Sequence, residues 1–289
     1  MVLLASSVAV IAHTHHLPTL GVQGARYVVA ALSVVALAYL FRVRLVWPHR
    51  RDIGWVIGGA LTGLVGFNVA TIIGTQHAEP ALLGAAVACI PVVLAVAGPL
   101  AQGSRPSPRI VAGALVVSVG AIAVTGWGHG NAIGILMAVT MVVCEAAFTV
   151  FGARALPRMG AWSYSAATCS VAAIIFVMLS TFIEQPAAAD FMAKETLAAI
   201  FYLGAIATAV AFVCWFTGVK RLGPGTAGLC AGFAAPAAAV IGFALGAPIP
   251  ALGAWLGMAV IAAGLFIGFA PRSTFGALFF KQNSKPKLD

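Results

Sequence analysis

Apolar residues in this chain run on for long stretches, and polar residues are confined to short breaks between them. The runs extend from Met1 to Ala12, Val22 to Leu40, Ile53 to Gly74, Pro80 to Leu100 and Ile110 to Gly126, then over 132–153, 160–183, 196–217, 224–246 and 251–270. Most approach the ~20 apolar residues that a helix needs to cross a bilayer, and none alternates with the period of two expected of a half-buried strand. The pattern predicts an all-α membrane protein with ten transmembrane helices. The first run is short: at ~1.5 Å per residue it reaches about 18 Å, against a hydrocarbon core of ~30 Å. Either the chain begins late or this helix is abbreviated. It does not read as a signal peptide, because it lacks a basic start and the apolar pattern continues throughout.

Punctuation along the runs is written twice. Gly74, Pro80, Gly84, Gly113 and Gly120 recur as Gly218, Pro224, Gly228, Gly257 and Gly264, each 144 positions on. The chain therefore divides into a five-helix unit over 1–126, a linker at 127–131, a second five-helix unit over 132–270, and a basic tail over 271–289. A unit with an odd number of crossings inserts its second copy upside down, so two inverted repeats are expected. The connectors agree: His77 and Glu79 in the first copy are matched by Lys220 and Arg221 in the second.

Composition places most of the surface in lipid, with 62% hydrophobic residues, 8% charged residues and a mean hydropathy of +1.04. The net charge of +9 does not indicate nucleic acid, since the basic residues form no stripe beside stacking aromatics. With an inside amino terminus, every Lys and Arg except Arg26 and Lys194 falls on the cytoplasmic side, and Glu79, Glu184, Asp190 and Glu195 fall outside. The positive-inside rule then favours a multi-pass protein of the inner or plasma membrane with both termini cytoplasmic. Cys89, Cys144, Cys169, Cys214 and Cys230 each lie in an apolar run without a CxxC pair, and read as buried small hydrophobes.

Inverted repeats favour a transporter with a midplane cavity between the halves, opened to each side in turn. Glu145 is the one acid inside an apolar run, where a charge costs roughly 2.5–3.5 kcal/mol, so it should avoid lipid. It is a candidate for proton coupling or for holding a cationic group, or else a protonated carboxyl bonded to a neighbouring helix. Pro91 and Pro236 lie mid-run in the fourth and ninth spans, where each removes a backbone donor and bends its helix at the cavity, unless they are packing kinks alone. Arg26 opens the second span and could draw an anionic group to the cavity mouth, although an Arg at a helix end commonly snorkels to the headgroups. Asn68, Thr71 and Thr75 share one helix face, a polar stripe for the cavity or for bonds between helices. Tyr164 and Trp215 are candidate cavity-lining aromatics, the alternative being interface anchors. His13, His15 and His16 lack an acid or cysteine to complete a metal site. Glycine pairs at four-residue spacing, among them Gly59/Gly63 and Gly253/Gly257, permit close helix approach. HExxH, GxSxG, Walker and paired-Asp motifs are absent, so neither a catalytic residue nor a self-powered pump is expected.

Leu17, Pro18 and Arg26, then Pro80, Gly84 and Pro91, the copy through Pro224 and Pro236, and the Gly113/Gly120 spacing together resemble the EamA type of the drug/metabolite transporter superfamily, over nearly all of 1–270. The resemblance implies ten helices, a central cavity and movement of small metabolites, often outward, without nucleotide hydrolysis or a cofactor. Where the family usually carries Trp-Gly in its first helix, this chain has Leu4, Ala5, Ser6 and Ser7, and Ser6 and Ser7 carry over as cavity residues. The expectation is a secondary active transporter exporting a small metabolite, amino acid or drug-like compound, with exchange against protons as one option. A membrane-embedded enzyme acting on a lipid and a passive solute facilitator are the alternatives. Expected partners are the small-molecule substrate and the bilayer, with a homodimer left open and no nucleic acid.

Overall fold

The computed structural model describes residues 18–186, 191–244 and 252–270. The first predicted span with Ser6 and Ser7, the histidines at 13, 15 and 16, Asp190, the connector at 247–250 and the basic tail lie outside them. Among the described residues the protein is all-helical, with one isolated bridge between Ala78 and Gly130. Eight helices are long and apolar enough to cross a membrane, one of them 53 residues long. At ~1.5 Å per residue that helix would exceed two bilayer cores, and the chain divides it at Gly160, whose φ of 72° breaks the helical path.

The helices are α1 (Thr19–Leu40), α2 (Arg50–His77), α3 (Pro80–Ala101), α4 (Pro108–Thr125), α5 (132–159), α6 (161–184), α7 (Lys194–Leu222), α8 (Pro224–Ile241) and α9 (Leu252–Phe269). They correspond to the second to tenth predicted spans. Local sequence accounts for their ends. Pro80, Pro108 and Pro224 each sit in a first turn, where a missing N–H costs nothing. Gly126 and Gly223 end α4 and α7 with φ of 80°. The Asn131 side chain caps α5 by accepting from Gly134 N at 3.0 Å.

One end of the bundle carries the connectors with Arg42, Arg44 and Arg105, the α5–α6 turn beside Arg158, and Lys220 and Arg221 at the end of α7; we call it the basic end. At the other end, Glu79 ties the α2–α3 connector to the linker: Glu79 N donates to His129 O at 2.8 Å and His129 N donates to Glu79 Oε2 at 3.0 Å. Glu184, where α6 finishes, accepts from Leu20 N and Gly21 N at 2.9 Å each, satisfying first-turn donors of α1.

Several features recur at the spacing of the sequence repeat. α2 widens to a π-helix over Ala60–Gly66 and α7 over Tyr202–Val210. α3 is interrupted at 88–89, and α8 passes through a 3-10 turn at Cys230–Phe233. Pro91 consequently stands in the first turn of a new helical segment and Pro236 shortly after its 3-10 turn, rather than in the middle of an unbroken helix. The prolines follow the breaks, and the freed carbonyls are those of the preceding residues.

α4 and α9 pack backbone to backbone. A Cβ on Gly113 would lie 2.8 Å from Gly264 O, and one on Gly120 would lie 2.7 Å from Gly257 O. Progress along α4 from 113 to 120 matches retreat along α9 from 264 to 257, so the two helices run antiparallel with reciprocal contacts. Gly253, also expected to pack closely, meets nothing within 4 Å. Cys214 is likewise exposed where burial was expected, whereas Cys169 is buried and all five cysteines are free.

Candidate functional site

The largest core cluster lies where α1, α2, α5, α6 and α7 meet, and polar groups are set into it. Arg26 stands two turns inside α1, because the helix begins at Thr19 and not at Val22. It is 6% exposed and so does not snorkel to the surface. Its Nε donates to Thr208 Oγ1 at 2.8 Å and its Nη1 to Gln23 Oε1 at 3.4 Å, while the cation lies 5.5 Å from the Tyr27 ring centroid. The π-helical turn of α7 presents Thr208, whose hydroxyl donates in turn to Leu203 O at 2.7 Å. Gly204, in the same π segment, lets α1 approach so closely that a Cβ there would lie 2.7 Å from Arg26 O.

Tyr27 stacks on Phe176 of α6 at 5.7 Å and accepts from Asn68 Nδ2 at 2.8 Å. Asn68 also donates to Leu64 O at 2.6 Å, which places it just beyond the π segment of α2. The predicted polar stripe is therefore only partly turned inward. Thr71 bonds back to Phe67 O, and Thr75 is exposed and bonds to Ile72 O. A hydroxyl that satisfies itself on the preceding turn can face lipid at little cost.

Glu145 lies on α5 between Met141 and Phe148, both buried, at the i+4 and i−3 positions that share one helix face. That face points into the bundle, yet the Glu145 side chain is only half-buried and makes no hydrogen bond among the described residues. It is within electrostatic reach of the Tyr27 hydroxyl. One turn further on, Thr149 Oγ1 is buried without a partner among the described residues. Trp215 packs beside Ile90, Leu94 and Ala146, and its Nε1 is likewise buried without a partner among them. Arg26, Tyr27, Asn68, Thr208 and Glu145 thus belong to one interior region.

Towards the basic end this region is closed by aromatic rings. Phe216 meets Tyr164 at 4.8 Å and Phe148 at 5.0 Å, and Phe148 meets Phe212 at 5.3 Å. The rings sit on Gly59 and Gly63 of α2, where any Cβ would overlap Tyr164 or Phe148. Tyr164 is fully buried, so it is neither an interface anchor nor exposed to a cavity in this state. Nearby, α3 and α8 touch at Gly98 with Pro224 and at Gly228 with Leu94. A cleft of about 200 Å³ lies at the basic end, lined by Gln102, Ala153, Leu156, Pro157, Val219 and Lys220.

An ion pair joins α2 and α5 at that end, with Arg158 Nε 2.7 Å from Asp52 Oδ1 and Nη2 on the same oxygen. The Asp52 side chain is buried and that of Arg158 half-exposed. Sequence reading passed over this pair, together with Tyr27, Thr149 and Thr208. A lone polar residue in an apolar run is a signal that could have found the last two.

Comparison with known proteins places these features. The EamA-like transporter family matches residues 132–269. The uncharacterized transporter YetK of Bacillus subtilis (strain 168) is 22% identical over 258 residues, 85% of this chain and 76% of that protein. The uncharacterized transporter YdeK of the same organism is 26% identical over 198 residues, 67% of this chain and 68% of its own length. A solved crystal structure described only as that of a protein shares the fold, with a TM-score of 0.76 at 21% identity over 93% of this chain and 94% of that one. With this match to its second half and relatives named as transporters over most of its length, the chain is similar to EamA-like transporters, and the comparisons support a membrane transporter.

Proposed function

We propose that this membrane transporter works as a secondary active exporter of a small metabolite, amino acid or drug-like compound, coupled to protons. The observation that carries the reading is Glu145: a carboxylate midway along a membrane helix, on the face turned into the bundle, with no hydrogen-bond partner among the described residues. A group so placed is costly to leave charged and unpaired, and a proton or a substrate cation relieves the cost during part of a cycle.

The mechanism is alternating access between two inverted five-helix repeats, 1–126 and 132–270. Paired π segments, paired helix breaks and the reciprocal α4–α9 contact support the duplication. The basic end faces the cytoplasm, following the excess of Lys and Arg there. The aromatic cluster and the α3–α8 contact then seal the cytoplasmic side, leaving the region around Arg26 and Glu145 on the outward side of the seal. Exchange of the seal between the two ends carries solute across.

Counterflow in proteoliposomes tests the reading. Labelled solute should accumulate transiently against an excess of the same unlabelled solute inside and be recovered chemically unchanged. A proton gradient should also drive net accumulation. Conversion of the solute to a product would establish an enzyme instead, and exchange indifferent to an imposed gradient would establish a passive facilitator.

A further inference from the structure

Arg26 is a buried cation whose partners are all neutral. Among the described residues it has a hydroxyl at Nε, an amide oxygen at the long distance of 3.4 Å from Nη1, and an aromatic face, and no ion pair. Of the acids among the described residues, three have other partners. Asp52 holds Arg158, Glu79 holds the linker at His129, and Glu184 holds the start of α1. Glu145 makes no ion pair among the described residues. Residues 1–17 contain no Asp or Glu. A guanidinium cannot lose its proton at any pH the protein meets, so the cost of burying it cannot be escaped by neutralisation. Among the described residues Nη2 has no hydrogen-bond partner and Nη1 has only the long one, which leaves the two-pronged edge that matches a carboxylate.

The surrounding helices hold that edge in place. Thr208 is itself fixed by its bond to Leu203 O, and Tyr27 is fixed between Phe176 and Asn68. We propose that Arg26 is the recognition point for the anionic group of the transported solute, and that the solute is a small organic carboxylate with an apolar body. The claim rests on the transporter reading above and narrows it to a substrate class. A single cation suits one carboxylate; a phosphate ester, carrying nearly two charges, would leave half its charge unpaired in the same interior region as the acid Glu145. When the acid arrives it displaces the weak Gln23 contact and takes both Nη donors.

The test uses the purified full-length protein and three probes of similar shape: phenylacetate, phenethylamine and 2-phenylethanol, with phenyl phosphate as a fourth. Radiolabelled phenylacetate should bind saturably and resist competition by the amine and the alcohol. Arg26→Gln should weaken binding about 10- to 100-fold, the range expected for losing charge-assisted hydrogen bonds. Arg26→Lys, which keeps the charge and loses the fork, should fall between, and decides the matter if the glutamine variant does not fold. No saturable phenylacetate binding at millimolar concentration, equal affinity in the wild type and Arg26→Lys, or stronger competition by phenyl phosphate would each overturn the proposal. Phenylacetate bound but never exchanged in counterflow would sink the transporter reading and leave the anion site standing. Counterflow of a neutral or cationic solute undisturbed by Arg26→Gln would do the reverse.

Discussion

Glu145→Gln is expected to abolish the dependence of transport on a proton gradient while leaving counterflow measurable. A proton exchanged for each solute molecule lets a gradient of one pH unit, worth about 1.4 kcal/mol, support up to a roughly tenfold concentration ratio. Glutamine keeps the shape and polarity of the side chain and cannot take up or release a proton. The ratio should therefore fall from about ten to about one, and the exchange rate should become flat with external pH. Because Glu145 makes no hydrogen bond among the described residues, the substitution orphans no partner there, and thermal stability should be little changed. Measurement of accumulation at several imposed gradients in proteoliposomes checks this. An unaltered ratio in the variant would remove Glu145 from the coupling reaction.

A second large effect should appear at the α4–α9 crossing. Gly120 and Gly257 bring two backbones together, and a Cβ on Gly120 would lie 2.7 Å from Gly257 O and 2.8 Å from Ile261 N. Backbone atoms cannot swing aside as a side-chain tip does, so Gly120→Val must part the helices. It should cost roughly 1–3 kcal/mol or more, the range for overpacking a close-packed interior. Gly253→Val is the matched control on α9 itself, since nothing lies within 4 Å of that position. Denaturant or thermal unfolding of the detergent-solubilised variants should show a clear loss for the first and little change for the second. Equal stability of the two would mean that this contact does not hold the bundle together.

How much of this was readable in advance follows from the physics of each feature. Long apolar runs mark membrane helices because lipid offers no hydrogen bonds, so nine of the ten spans reappear with shifted ends. The ends moved where capping groups extend a helix beyond its apolar run: Glu184 reaches back to Leu20 and Gly21, so α1 begins before Val22 and Arg26 moves inside the bundle. That shift turned a headgroup anchor into a buried cation. Glu145 was legible because charge inside an apolar run is expensive. Thr208 and Thr149 carried the weaker signal of a lone polar residue in an apolar run, whereas Tyr27 acquires meaning only when neighbouring helices bring Phe176 and Asn68 to it. The π segments were also invisible, since no residue type compels a π-helix; their matching positions in α2 and α7 emerge only from the backbone.

The central claim is that two copies of one five-helix unit cross the membrane in opposite senses. Its most direct measurement is site-specific labelling in a background lacking the five native cysteines, with Ala78→Cys in the α2–α3 connector and Leu222→Cys at the end of α7. These positions occupy equivalent connectors of the two units. In intact cells a membrane-impermeant maleimide should modify position 78 and spare position 222, and in inside-out vesicles the pattern should invert. Modification of both positions from the same face would contradict the inverted duplication and the alternating-access mechanism built on it.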